Sequence, residues 1–154
     1  GRVQGKTVGG GVGLAAAVDH CLATKFAAVK LSELAVGIGP FVVGPAVERK
    51  LGVSGMAALA VDARSFKSAE WAANRGLYAE VFPTVEELDQ AVDRLASELA
   101  SSNPDAMAHL KRTLWEGTEH WDALLNERAA ISGRLVLSEF TRNAIASFKA
   151  SKST

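Results

Sequence analysis

The stretch Gly9-Gly10-Gly11-Val12-Gly13-Leu14 constrains the fold of this chain more than any other, and small or apolar residues follow it up to Leu22. Consecutive glycines let backbone N–H groups approach a ligand with no Cβ in the way. The apolar run behind them predicts a buried helix of about 12 residues that begins at the glycines. Because a helix N-terminus presents unpaired N–H donors, the stretch predicts a site for a phosphate or an oxyanion.

A lone carboxylate, Glu33, lies twenty residues beyond Gly13, at the end of a short alternating run that predicts a strand from Ala27 to Leu31. Taken alone, a carboxylate at a strand end is usually solvated. Here its neighbours are apolar, so we expect partial desolvation that raises its pKa towards a value useful for acid/base chemistry. Gly37-Ile38-Gly39-Pro40 then breaks regular structure.

The rest of the chain divides in two. After the glycine-rich break we expect a helical segment up to Gly52 with Pro45 in its first turn, short helices at 54–63 and 68–74, and a strand at 78–82. Only helices follow. The first, at 84–101, begins with a capping box from Thr84 to Glu87, and the second begins at Pro104 after an Asn103 cap, with Met107, Leu110 and Leu114 on its inner face. Two more are expected at 121–137, interrupted or bent near Gly133, and at 138–150. The predicted class is α/β, with an α/β portion at 1–83 and a helical portion at 84–154.

Composition excludes several classes of function. The 17 basic and 17 acidic residues balance, so no overall field attracts nucleic acid or an anionic membrane. Cys21 is the sole cysteine, which excludes an internal disulfide and fits a reducing compartment, and we expect a cytoplasmic protein. No apolar run reaches the roughly 18 residues of a membrane helix. The three histidines lack metal-ligand spacing, so no metal site is expected.

The glycines have two alternative interpretations. Gly11 to Ala16 fits the dinucleotide pattern G-x-G-x-x-A, with Glu33 near the offset of a ribose-binding acid. Such a site needs a buried apolar strand directly before the glycines, and residues 2–8 are too polar for one. Alternatively, the glycines only let a helix pack closely against a strand.

Several motifs together resemble the signature of the enoyl-CoA hydratase/isomerase, or crotonase, superfamily. They are Val3-Gln4-Gly5, Gly9 to Ala15, Asp19, Leu31-Ser32-Glu33, Gly37 to Pro40, Ser68 to Ala72 and Gly76 to Phe82. The resemblance covers nearly the whole chain. The family's N-terminal portion has no counterpart, and the chain begins Gly1-Arg2-Val3 without a methionine, so we expect further sequence upstream.

The resemblance implies a ββα superhelical core, acyl-CoA thioester substrates and a helical region used to assemble a homotrimer or a dimer of trimers. It implies no cofactor other than the coenzyme A of the substrate. The Gly10 N–H matches one of two oxyanion donors and Glu33 one of two catalytic glutamates. The second glutamate falls at Gly13. The expected substrate-binding residues are Gly9, Gly11, Gly13, Gly37, Pro40 and Phe41.

The missing second carboxylate bears on the reaction. Moving a double bond needs one shuttling base, whereas adding water is easier with two groups, so Gly13 favours an isomerase. A hydratase and a non-catalytic acyl-CoA-binding subunit remain alternatives. Lys149 and Lys152 are further candidates for contact with the phosphates of coenzyme A.

Overall fold

The computed structural model describes residues 1–150, with the side chain of Lys149 excepted. Its N-terminal half contains five short strands, three helices and one 3-10 turn. In chain order these are β1 Arg2–Val3, β2 Thr7–Val8, α1 Gly10–Ala17, β3 Leu22–Thr24, β4 Val29–Lys30, the 3-10 turn Leu34–Val36, α2 Gly44–Val61, α3 Ala69–Asn74 and β5 Glu80–Phe82. Four helices follow, α4 Val85–Ala100, α5 Pro104–Leu114, α6 Trp121–Val136 and α7 Glu139–Ala150.

The strands form two small parallel sheets. One has the order β1-β3-β5, and the other pairs β2 with β4 in a register that sets Thr7 opposite Val29 and Val8 opposite Lys30. The expected strands at 27–31 and 78–82 are present but shorter. Residues 2–8, judged too polar for a buried strand, nevertheless supply β1 and β2. Each is two residues long, so few side chains need burial, and the exposed Arg2 side chain forms an ion pair with Asp89.

The first helix is shorter than expected. It ends at Ala17, because Val18 is extended (φ −87°, ψ 152°), and Leu22 belongs to β3 rather than to the helix. The side chain of Lys50, on α2, donates a 2.8 Å hydrogen bond to the Asp19 carbonyl in the connecting loop. Apolar composition alone did not reveal that the chain turns here.

Glycine behaves differently at two helical positions. The helices expected on either side of Gly52 form the single element α2, with a kink where Gly52 adopts a φ of 69°. Pro45 lies in the first turn of α2, as expected. The interruption expected near Gly133 is absent, because α6 continues through this residue, whose φ stays negative. The alternative, a bend at Gly133, stays a prediction.

The main core lies between α1, α2, α3 and the strands, and includes Val12, Val29, Val47 and Tyr78. Burial raises the pKa of Tyr78 to about 12, and its hydroxyl donates a 3.0 Å hydrogen bond to the Ala27 carbonyl. A second cluster packs Leu88 and Ala91 of α4 against Leu22. Cys21 is buried in the main core.

The helical half confirms its predicted caps but not all of its predicted faces. The Thr84 side chain accepts from the Glu87 N–H, and the Asn103 side chain accepts from the N–H groups of the first turn of α5. The apolar residues of α5 were expected on an inner face. Met107, Leu110 and Leu114 are instead 36%, 58% and 47% exposed within this chain. The division into 1–83 and 84–154 stays a prediction.

Candidate active site

Two neighbouring parallel strands deliver the glycines and Glu33 to the same place. β2 leads directly into Gly9, and β4 leads through Leu31 and Ser32 to Glu33. The Gly9 N–H donates a 2.9 Å hydrogen bond to the Lys30 carbonyl, which extends the pairing one step beyond the sheet. Because parallel strands end at the same edge of a sheet, the two loops leave it side by side.

Gly9 is the residue that brings the Glu33 carboxylate close to α1. Its backbone has a φ of 55°, and a Cβ there would lie 3.1 Å from Glu33 Oε1. The positive φ therefore favours glycine, and a side chain here would also push the Glu33 carboxylate away by a few tenths of an ångström. The Gly9 carbonyl accepts the N–H groups of Val12 and Gly13 at 2.9 and 3.3 Å, and this contact starts the helix.

The next two glycines carry the available N–H donors. Gly10 is exposed, and a Cβ built on it would meet nothing within 4 Å. Within residues 1–150, no acceptor binds the N–H of Gly10 or Gly11. A Cβ at Gly11 would lie 3.1 Å from Thr7 Cγ2, so this residue packs on β2. Gly10 thus presents an open backbone donor at the positive end of a helix.

The Glu33 carboxylate is partly desolvated. The side chain is half-buried, and Oε2 is covered and has no hydrogen-bond partner within the described chain. Burial raises the pKa of Glu33 above its ordinary value, and its own backbone N–H offsets only part of this effect. A carboxyl group with a raised pKa can both accept and return a proton nearer to neutral pH.

Three of the expected substrate-binding residues lie in the loop after Glu33. Gly37 has a φ of 83°, and a Cβ there would lie 2.4 Å from Phe140 Cδ1 and 2.8 Å from Thr141 Oγ1. Gly37 is therefore where α7 packs against the loop. Pro40 is buried, and the ring of Phe41 folds back on Gly39. Any contact of Gly37, Pro40 and Phe41 with substrate stays a prediction.

Gly13 packs against Val43, the residue that precedes α2. A Cβ on Gly13 would lie 2.6 Å from Val43 Cγ1, and Gly13 itself is buried. A carboxylate at this position would have to displace Val43. The interpretation that glycine only allows close packing therefore applies at Gly13. At Gly10, by contrast, no atom lies within 4 Å of the Cβ position.

A cavity of about 680 Å³ lies next to the two strands that lead to these groups. This volume is typical of small-molecule sites. Its lining residues come from β2, β4, the 3-10 turn, the end of α2 and α7, and are Val8, Lys30, Ser32, Ala35, Val36, Ala63, Arg64, Ala144, Ser147 and Phe148. Val8 precedes Gly9 and Ser32 precedes Glu33 in the chain, but Glu33 and the glycines themselves do not line the cavity.

The sequence did not reveal which residues, remote in the chain, pack against the candidate site. Phe140 and Thr141 of α7 contact the loop after Glu33, and Val43 fills the space beside Gly13. Thr141 is fully buried, and its hydroxyl lies 3.2 Å from Ser138 Oγ. Phe140 lies in the helix expected at 138–150, but nothing local to α7 indicated which residues this side chain contacts.

Other kinds of site find no support in the part of the chain that is described. No group of three or more His, Cys, Asp or Glu residues is arranged to hold a metal ion within residues 1–150. Over the same residues, no helix combines the length and apolarity needed to cross a bilayer. Lys152 and the Lys149 side chain lie outside the described residues.

The model of the enoyl-CoA hydratase/isomerase family matches residues 1–146. Among solved structures, the chain is similar to an enoyl-CoA hydratase/isomerase from Pseudoalteromonas atlantica T6c, with 21% identity, a TM-score of 0.87 and coverage of 96% of this chain and 59% of that one. It is similar to an enoyl-CoA hydratase from Mycobacterium avium, with 25% identity, a TM-score of 0.86 and coverage of 96% and 58%. No curated protein matches.

These comparisons confirm the α/β class, with a crotonase-like partial core and a helical C-terminal region. The chain spans only 59% and 58% of the length of the two solved structures. The glycine-rich helix start, the adjoining carboxylate and the following helical region all lie inside the matched residues. The chain belongs to the enoyl-CoA hydratase/isomerase family.

Proposed function

We propose that the protein acts on acyl-CoA thioesters, with the Gly10 N–H as an oxyanion donor and Glu33 as the acid/base that forms and protonates an enolate. One observation carries the proposal: the Glu33 carboxylate lies against Gly9, immediately before the open N–H of Gly10. A thioester oxygen bound at Gly10 would have its α-carbon next to this carboxylate.

The chemistry follows from where charge develops. When a base removes the proton beside a thioester carbonyl, the carbonyl oxygen becomes negative. One preorganised N–H at that oxygen typically lowers the barrier by about 3–4 kcal/mol. A partly desolvated carboxylate is a stronger base than one in water, so Glu33 suits the proton transfer.

Double-bond isomerisation is the reaction that we favour. Glu33 takes a proton from C2 of a 3-enoyl thioester, the electron pair moves into a dienolate, and Glu33 returns the proton to C4 to give the 2-enoyl product. One carboxylate suffices for this shuttle. Gly13 supports the choice because Val43 occupies the space that a second carboxylate there would need.

The test is Glu33→Gln in the protein, with 3-enoyl-CoA isomerisation and 2-enoyl-CoA hydration as parallel assays. We expect isomerisation to fall by about 100-fold or more, the usual contribution of a general acid/base. Glu70→Gln, an exposed carboxylate on α3, is the matched control. An unchanged isomerisation rate in Glu33→Gln would refute the role of Glu33.

The same assays separate the alternatives. If hydration is faster than isomerisation in the parent protein and is lost in Glu33→Gln, a hydratase is favoured. Saturable binding of acyl-CoA with no turnover of either substrate would favour a non-catalytic acyl-CoA-binding subunit.

We also propose that the helical region assembles the protein into a homotrimer or a dimer of trimers. Leu110 is 58% exposed and Leu137 is 71% exposed in the single chain, and apolar faces of this kind commonly pack between subunits. Light scattering after gel filtration should give a mass of three or six chains. The double variant Leu110→Glu/Leu137→Glu should dissociate, and a monomeric parent protein would contradict the proposal.

A further inference from the structure

The cavity lined by residues of β2, β4 and α7 has an uneven distribution of charge. Its lining contains two cationic side chains, Lys30 and Arg64, and no carboxylate among the described residues. Lys30 is half-buried at the end of β4, and Arg64 is exposed just after α2. The remaining walls are mostly apolar, with hydroxyls from Ser32 and Ser147. The cavity therefore combines an apolar surface with a positive rim.

Neither cation is neutralised by an acidic neighbour. Within residues 1–150, the structure contains no ion pair of Lys30 or Arg64. The nearby Lys67 differs, because its ammonium group lies 2.8 Å from the Asp62 carboxylate. A cation without an acidic partner attracts anions, and the attraction is stronger beside an apolar cavity because less water screens the charges.

Lys30 is also held in position. Its Nζ lies 4.5 Å from the centre of the Phe66 ring, and the Nζ of Lys6 lies 5.1 Å from the same centre. A cation over an aromatic face is stabilised without losing its charge. Lys6 does not line the cavity, so two lysines share one ring but only Lys30 faces the ligand space.

We propose that this cavity binds an acyl group whose far end carries a carboxylate, with Lys30 and Arg64 as its counter-ions. The inference rests on the proposed function, since the thioester must lie at Gly10 and Glu33. The acyl chain then passes Val8 and Ser32 along the apolar wall. Its terminal carboxylate meets the two cations at the rim.

The test compares two saturated ligands of equal chain length, hexanoyl-CoA and adipoyl-CoA, by isothermal titration calorimetry on the protein. Adipoyl-CoA differs by its terminal carboxylate. We expect it to bind about fivefold to tenfold more tightly at low salt, as two partly exposed ion pairs allow. The preference should disappear in Lys30→Met/Arg64→Met and persist in Lys6→Met, and it should shrink as salt is added.

The outcomes distinguish this inference from the function beneath it. Equal affinities for both esters in the parent protein would overturn the inference and leave thioester binding intact. No binding of either ester would remove the proposed function and the inference with it. If Lys30→Met/Arg64→Met weakens both esters equally, but leaves hexanoyl-pantetheine unaffected, the cations bind phosphates of coenzyme A and the inference is wrong.

Discussion

The two ends of α1 each have a carboxylate nearby, and the two carboxylates have opposite surroundings. At the N-terminal end, Glu33 lies against Gly9 with one oxygen covered and unbonded. Just beyond the C-terminal end, the Asp19 carboxylate accepts two hydrogen bonds from Lys111 Nζ, at 2.9 and 2.8 Å, and one from Trp115 Nε1 at 2.5 Å.

The pKa values of the two groups move in opposite directions. Burial raises the pKa of Glu33. Desolvation also raises the pKa of Asp19, but the hydrogen bonds from Lys111 and Trp115 outweigh it and hold this pKa below its ordinary value. The Asp19 carboxylate is fully hydrogen-bonded and stabilises the position of α5 against the core. The Glu33 carboxylate has an oxygen without a partner and can therefore exchange a proton, as acid/base chemistry requires.

The largest effect is expected at Gly9, where the carboxylate meets the helix. Gly9→Ala places a methyl group at 3.1 Å from Glu33 Oε1 and forces alanine into a φ of 55°. We expect kcat/KM on 3-enoyl-CoA to fall by about 100-fold, as misplacement of a catalytic group commonly does. Gly5→Ala is the control, since its Cβ would meet nothing within 4 Å. Equal activity of the two variants would show that Gly9 is not needed to position the Glu33 carboxylate.

A second variant asks whether Gly13 can carry the missing carboxylate. In Gly13→Glu the new side chain must displace Val43, whose Cγ1 lies 2.6 Å from the Cβ position. We expect a loss of about 1–3 kcal/mol in the free energy of unfolding, the usual cost of overpacking. Urea denaturation measures it. Adding Val43→Ala should recover part of the loss, and an undiminished loss in the double variant would place the clash elsewhere.

Asp19→Asn tests the hydrogen-bonded carboxylate beyond the C-terminal end of α1. The substitution removes the charge that pairs with Lys111, and we expect the free energy of unfolding to fall by about 1 kcal/mol, since this pair is largely exposed. The proposed isomerase activity should change by less than about threefold, because Asp19 contributes only to packing. A loss of activity as large as that of Glu33→Gln would abolish the distinction between the two carboxylates.

The pH dependence of Asp19→Asn follows from the lowered pKa of Asp19. A lowered pKa in the folded state means that Asp19 stabilises the protein above its unfolded pKa, near 3.8, and that this contribution is lost as pH falls through the folded value. The parent protein and Asp19→Asn should therefore converge in stability below that range.

The smallest effect is on the stability of Glu33→Gln. Because the pKa of Glu33 is raised in the folded state, its favourable contribution is complete below the unfolded pKa, near 4.5, and is lost as pH rises through the folded pKa. Relative to the parent, Glu33→Gln should therefore gain stability at pH 7, by somewhat under 1 kcal/mol. Urea midpoints at pH 7 and pH 4 check it, and a gain that grows as pH falls would contradict the sign.

Local signals predicted much of the fold because they act within one turn. The caps at Thr84 and Asn103, the proline in the first turn of α2 and the helix start at the glycines each depend on neighbouring residues. Hydrophobic periodicity did less well where burial depends on distant partners. It extended α1 to Leu22, and it assigned to α5 an inner face that stays 36–58% exposed within the described residues.

The candidate site divides along the same line. The identities of Gly10 and Glu33 were readable from the sequence, because glycines without Cβ atoms and a carboxylate with apolar neighbours are chemical properties of short segments. That Gly9 rather than Gly10 touches the carboxylate, that Val43 fills the space at Gly13, and that Lys30 and Arg64 share a cavity were decided by tertiary packing. Residues far apart in the chain meet only when strands pair and helices dock, and no local pattern encodes those distances.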